Sequence, residues 1–191
     1  DNSKESPFVF VGGFGDLLAE LVDSVVRGQI FSLILSVISV ALIVIFLFNS
    51  FTAGIIAIIP LILAIVSLFG LMGYLGIELN MITALLSSIM IGVGVDYTIH
   101  FLWRYRKEKQ KRKSKAAVKK TLTTTGRGII FNALSVIIGF VILLVSNFLP
   151  VQFFGFLVVI SISGCLIGTL IFLPAVCIIF EPEFLEPSTK N

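Results

Sequence analysis

Asp96, Tyr97 and His100 are the residues of this chain whose types and spacing could do chemistry. They lie in the text Gly92-Val-Gly-Val-Asp96-Tyr97-Thr-Ile-His100, inside an apolar segment from Met81 to Trp103. That segment is long enough to cross a bilayer. A carboxylate at bilayer depth is costly, and such groups mark ion or proton paths. His100, the single histidine of the chain, follows Asp96 at i+4, one turn on along the same helical face. An imidazole there can relay protons toward the membrane surface. Its alternative is an interfacial role beside Trp103 and Arg104. Tyr97 points about 100° away around the helix. Its hydroxyl can donate to a carboxylate on a facing helix, or its ring can simply pack.

Small and polar residues support this group. Gly92 precedes Asp96 by one turn on the same face, and it is expected to let another backbone approach closely. Asn132, Ser135 and Gly139 form a polar, small-residue stripe at i, i+3, i+7 in a second apolar segment. Such a stripe is expected to face the bundle interior, with Asp96 as its partner. Gly92 and Gly94 do not make a phosphate loop, because no strand precedes them and no polar loop holds them. Gly164-x-x-x-Gly168 reads as helix packing. No zinc spacing, nucleophile–base pair or GxSxG occurs, and one His without clustered Cys makes a poor metal site. No cofactor and no enzymatic activity are expected.

The elements that must position these residues follow from composition. The chain is 57% hydrophobic and 13% charged, with mean hydropathy +1.09. A soluble domain of this size could not bury that much apolar surface, so the class is an all-α, multi-pass membrane protein. Five spans are expected: about Ile30 to Phe48, Thr52 to Met72 with Pro60 inside, Met81 to Trp103, Gly128 to Asn147, and Gln152 to Phe180 with Pro174 near its end. Short links make sequential helices antiparallel neighbours. Before the spans, Asp16 to Arg27 alternates apolar and charged faces as an amphipathic helix near the interface or leading into the membrane. Phe8 to Val11 is β-like, and Gly12, Gly13 and Gly15 follow. The whole stretch 1–28 reads as the end of an extracytoplasmic domain plus this juxtamembrane helix. There is no Met at position 1 and no signal-peptide pattern, so the chain is read as part of a larger protein.

Charge sets the orientation. Eleven of the fourteen Lys/Arg lie between Arg104 and Arg127, where Glu108 is the only acid. Beside membrane spans this is the positive-inside signature rather than a nucleic-acid patch. The connection 104–127 is therefore cytoplasmic, as is the tail 181–191, and the N-terminal stub is extracytoplasmic. Lys107 to Lys120 is expected to form a helix on the anionic inner leaflet. Thr123-Thr-Thr-Gly126 would then reset the chain for the next span. Asp96 lies ~12 Å along the helix from Arg104, slightly inward of the bilayer middle. Cys165 and Cys177 fall about 18 Å apart on one helix; they cannot pair and read as small apolar residues.

The stretch from Gly92 through Asp96-Tyr97 to Arg104-Tyr-Arg106 resembles the fourth helix of a half of an RND-superfamily permease, in its MMPL branch. Further matching text lies at Gly73-x-x-Gly76-Ile-x-Leu79-Asn80, at Gly126-Arg-x-Ile-x-Phe-Asn132-x-Leu-Ser135-x-x-x-Gly139-Phe140, and at Phe154-Gly155 and Leu173-Pro174-Ala175. The resemblance covers about 28–180. It implies helices two to six of a six-helix half that follows a porter domain. It implies that Asp96 carries the proton and that Asp96 and Tyr97 exchange hydrogen bonds with a second half, in the same polypeptide or in a second subunit. His100 is not part of the general pattern.

The function expected is proton-motive-force-driven transport across the cell membrane, with a lipid or other hydrophobic molecule as substrate by resemblance. The partners are then protons, membrane lipids, the substrate and the second transmembrane half. A sterol-sensing or lipid-binding bundle without pumping is the alternative from another class. A SecD/SecF-like accessory of protein translocation ranks below it.

Overall fold

Local sequence dictates long helices here, because lipid offers no hydrogen-bond partner and the backbone must satisfy itself within each segment. The structure, a computed structural model, describes residues 13–77 and 81–180. Five helices follow one another: α1 Phe14–Phe48, α2 Phe51–Leu75, α3 Met81–Lys109, α4 Ser114–Val145 and α5 Leu149–Phe180. Each is long and apolar enough to cross a membrane. No strand occurs among the described residues. The β-like text at Phe8 to Val11 and the tail 181–191 lie outside them.

The turns explain the antiparallel order. Asn49 ends α1 in the left-handed region at φ 53°, a conformation that a short polar side chain tolerates. Ser50 then donates its N–H back to the Ile45 carbonyl at 3.2 Å. Gly76 closes α2 at φ 65°, and Ile77 N–H reaches the Met72 carbonyl at 2.9 Å, a glycine stop for the last free carbonyls. Ser146 to Phe148 separates α4 from α5, and Pro150 sits in the first turn of α5, where its missing N–H is not needed.

The amphipathic stretch from Asp16 to Arg27 follows the second of its two expected courses, leading without a break into α1 as its first turns, tied by an Asp23–Arg27 ion pair at 2.8 Å. Two boundaries differ from the sequence reading. No separate helix covers Lys107 to Lys120: α3 runs on to Lys109, the chain turns through 110–113, and α4 begins at Ser114. The threonine run does not break the chain either. Leu122–Gly126 is a π turn within α4. Thr123 and Thr124 donate their hydroxyls to the Lys120 carbonyl at 3.1 and 2.8 Å. Threonine satisfies the backbone from inside a helix this way, usually bending it rather than ending it. Pro174 is absorbed similarly: the π turn Gly168–Phe172 stands just before it in α5, where a ring without an N–H disturbs the preceding carbonyl.

The centre of the unit is α3 packed on α5. Half of the membrane stretch of α3 is buried inside the chain, against 11% for α1 and α4. Leu86, Met90 and Phe101 of α3 meet Leu157 and Ile162 of α5 in one apolar core, with Leu61 of α2 against them. At the basic end, the turn between α3 and α4 is fastened by side chains. Tyr105 Oη lies 2.6 Å from Ser114 Oγ and 3.3 Å from the Cys177 carbonyl. Glu108, only 8% exposed, holds Arg104 at 2.7 Å and Arg112 at 3.3 Å. The free thiols Cys165 and Cys177 are buried in α5.

Candidate functional site

The face of α3 decides the site. Helical period places Leu85, Ile89, Gly92, Asp96, His100, Trp103 and Lys107 along one stripe, and every one of them is exposed in this chain. Asp96 and His100 stand on it as a pair. His100 Nε2 lies 3.2 Å from Asp96 Oδ1, with the two side chains 64% and 53% exposed. The ring N–H is within reach to donate to the carboxylate. The spacing i, i+4 is what brings them together.

The expectation that Asp96 meets the Asn132, Ser135 and Gly139 stripe in the bundle interior is therefore corrected. Within this chain Asp96 looks outward. It borders a cleft of about 280 Å³ between α3 and α4, lined by Asp96, Tyr97, His100, Thr125, Gly128, Ile129 and Asn132. An intramembrane acid normally faces other helices or a water-filled cavity rather than lipid.

Tyr97 borders the same cleft from deeper in the unit. It is 1% exposed and sits in the core. Its hydroxyl is buried without a hydrogen-bond partner among the described residues, so it does not reach a carboxylate of a facing helix in this chain. A buried hydroxyl left unpaired costs about 1–3 kcal/mol.

The supporting residues separate. Asn132 lines the Asp96 cleft, as expected. Ser135 and Gly139 do not line it, and the three form an exposed stripe on the outer side of α4 rather than an inward one. Ser135 bonds its own helix, donating to the Phe131 carbonyl at 2.9 Å. Gly92 is not at a close helix crossing in this chain, since a side chain there would meet open space. The close crossing belongs to Gly94, where a Cβ would come within 3.0 Å of Cys165 Sγ on α5.

Thr125, Gly128 and Ile129 were missed from the sequence. Their signal was present: Thr125, Gly128 and Asn132 extend one face of α4 by helical spacing. Reading Thr123 to Gly126 as a break between elements hid it.

A search of protein families matches residues 3–189 to the family described as MMPL family. A curated relative is "Putative membrane protein MJ1562" of Methanocaldococcus jannaschii, 28% identical over 118 residues. The matched stretch covers 61% of this chain and 30% of the relative, so the likeness concerns less than a third of that protein. No solved structure matches the chain significantly.

Proposed function

The chain belongs to the MMPL family, and from that premise we propose that it is a transmembrane half of a proton-motive-force-driven exporter of lipids or other hydrophobic molecules. The observation that carries this reading is the Asp96–His100 pair, 3.2 Å apart on the outward stripe of α3 beside a cleft of about 280 Å³ that Asn132 and Thr125 also line. The carboxylate takes a proton and becomes neutral, which lowers the cost of holding it away from water. Loss of the proton restores the charge, and α3 must then seek water or a polar partner. His100 stands one turn nearer the basic edge, on the path between Asp96 and the cytoplasm. The change in charge alternates the packing of α3 and α4. It reaches the extracytoplasmic side along α1, which is one unbroken helix from Phe14 to Phe48.

In this reading the second half of the transporter covers the outward stripe, supplying partners to Asp96 beyond His100. Its membrane is the cell membrane. The basic connection is cytoplasmic, and α1 enters from the opposite side.

The test is Asp96→Asn in the full-length protein, reconstituted in liposomes with an imposed pH gradient. Transport is abolished, while expression and thermal unfolding stay as in the wild type. Full activity of the Asn variant under a proton gradient would falsify the mechanism. Lipid-dependent stability without pH-dependent flux would favour the lipid-sensing reading instead.

A further inference from the structure

At the basic end of α3 lies a second polar groove that the proton site does not use. Trp103, Arg106, Lys107 and Gln110 line about 330 Å³, a size within the range of small-ligand sites. Its cations are not neutralised. Glu108 is the sole acid of the basic stretch 104–127, and its two carboxylate oxygens are held by Arg104 and Arg112. Among the described residues, neither Arg106 nor Lys107 has an ion-pair partner. Arg106 is nonetheless oriented: its guanidinium carbon stands 5.8 Å from the centre of the Phe48 ring at the end of α1. Trp103 meets the same ring edge-on at 6.2 Å. A guanidinium held against an aromatic face keeps its outer N–H groups available for an oxyanion.

The surroundings select the source of that oxyanion. Trp103 is 53% exposed, and the last turns of α1, which supply Phe48, turn Phe46 and Leu47 outward. A half-exposed tryptophan beside cations at the end of a span is the signature of the headgroup level. The exposed apolar side chains of those last turns of α1 give a bed for acyl chains, which a free anion does not need.

We propose that Trp103, Arg106, Lys107 and Gln110 form a headgroup site for an anionic phospholipid at the basic edge of the membrane. The phosphodiester lies between Arg106 and Lys107, the Trp103 ring packs at the glycerol level, and the acyl chains follow the outer flank of α1. The site requires only that this edge meet a bilayer, so it stands apart from the proton mechanism.

Native mass spectrometry of the full-length protein in detergent tests it, with phosphatidylglycerol, phosphatidylcholine and inorganic phosphate as separate probes. Phosphatidylglycerol is expected to be retained well above phosphatidylcholine and not to be displaced by equimolar inorganic phosphate. Arg106→Gln with Lys107→Gln lowers phosphatidylglycerol affinity about 25-fold, roughly fivefold for each surface cation. Lys119→Gln with Lys120→Gln removes the same charge elsewhere on the basic stretch, outside the groove, and is expected to cost clearly less. Equal losses in the two double variants would mean diffuse attraction and overturn the site. So would equal retention of the two lipids, or displacement by phosphate. Should the first double variant fail to fold, exposed Lys107→Gln alone makes the same comparison, with about a fivefold loss expected.

Discussion

Asp96 and Tyr97 are adjacent in sequence and border one cleft, yet differ in burial: the carboxylate side chain is 53% exposed and the tyrosine only 1%. One residue step turns a helix by about 100°, so neighbouring functional groups serve different surroundings. The Tyr97 hydroxyl has no hydrogen-bond partner among the described residues. Tyr97→Phe is therefore expected to leave thermal stability unchanged or to raise it by up to about 1 kcal/mol, by removing an unpaired buried group. If the hydroxyl takes part in proton coupling, as the family resemblance implies, transport assays on the same variant show a loss. Lower stability in detergent would mean that a bond to Tyr97 exists in the resting protein.

Among the described residues, His100 is the only titratable side chain ion-paired with Asp96. A positioned general acid or base contributes about 100-fold or more to a proton step. His100→Gln is expected to cut proton-coupled flux at least tenfold, a conservative share of that effect, and to change its dependence on pH. Stability should hold, since both side chains are more than half exposed. Flux measured across a pH series in liposomes decides between a relay and an interfacial residue.

Two glycines contrast in what they touch. A Cβ on Gly155 would stand 2.8 Å from Leu143 Cβ and 3.0 Å from the Phe140 carbonyl, where α5 crosses α4. Gly155→Ala is expected to cost about 1–3 kcal/mol, the range for overpacked sites, measured by thermal unfolding. Gly92 meets nothing within 4 Å. Gly92→Leu should keep the fold of this unit and still reduce transport, by blocking the second half from the Asp96 face.

Glu108 ties the end of α3 to the following turn through Arg104 and Arg112. Glu108→Gln keeps the shape and removes the charge. The expected loss is about 2 kcal/mol, kept modest because Arg112 is half exposed and screened by water. A urea or thermal unfolding series, read beside Lys119→Gln as a surface control, measures it.

Much of this protein is written locally. Hydropathy fixes five long helices and membrane residence, because a bilayer tolerates only self-satisfied backbone. Helical period fixes the Asp96–His100 pair, and the Lys/Arg cluster fixes which end of the spans is basic. These depend on residues within a turn or two of each other, or on summed composition.

The tertiary structure decided what surrounds them. Apolar residues cover the lipid-facing and protein-facing sides of such helices alike, so hydropathy does not say which side a neighbour will occupy. Only the docking of α3 against α1, α2 and α5 turns Tyr97 inward and leaves Asp96 outward. The same packing gives the close approach to Gly94 rather than Gly92, and it draws Thr125 and Asn132 to the cleft while Ser135 and Gly139 lie elsewhere on the outer face of α4. A residue's type and spacing set what chemistry it can do. Whether the group meets a partner, the core or an open face depends on contacts between helices far apart in sequence, and those arise only when the helices pack.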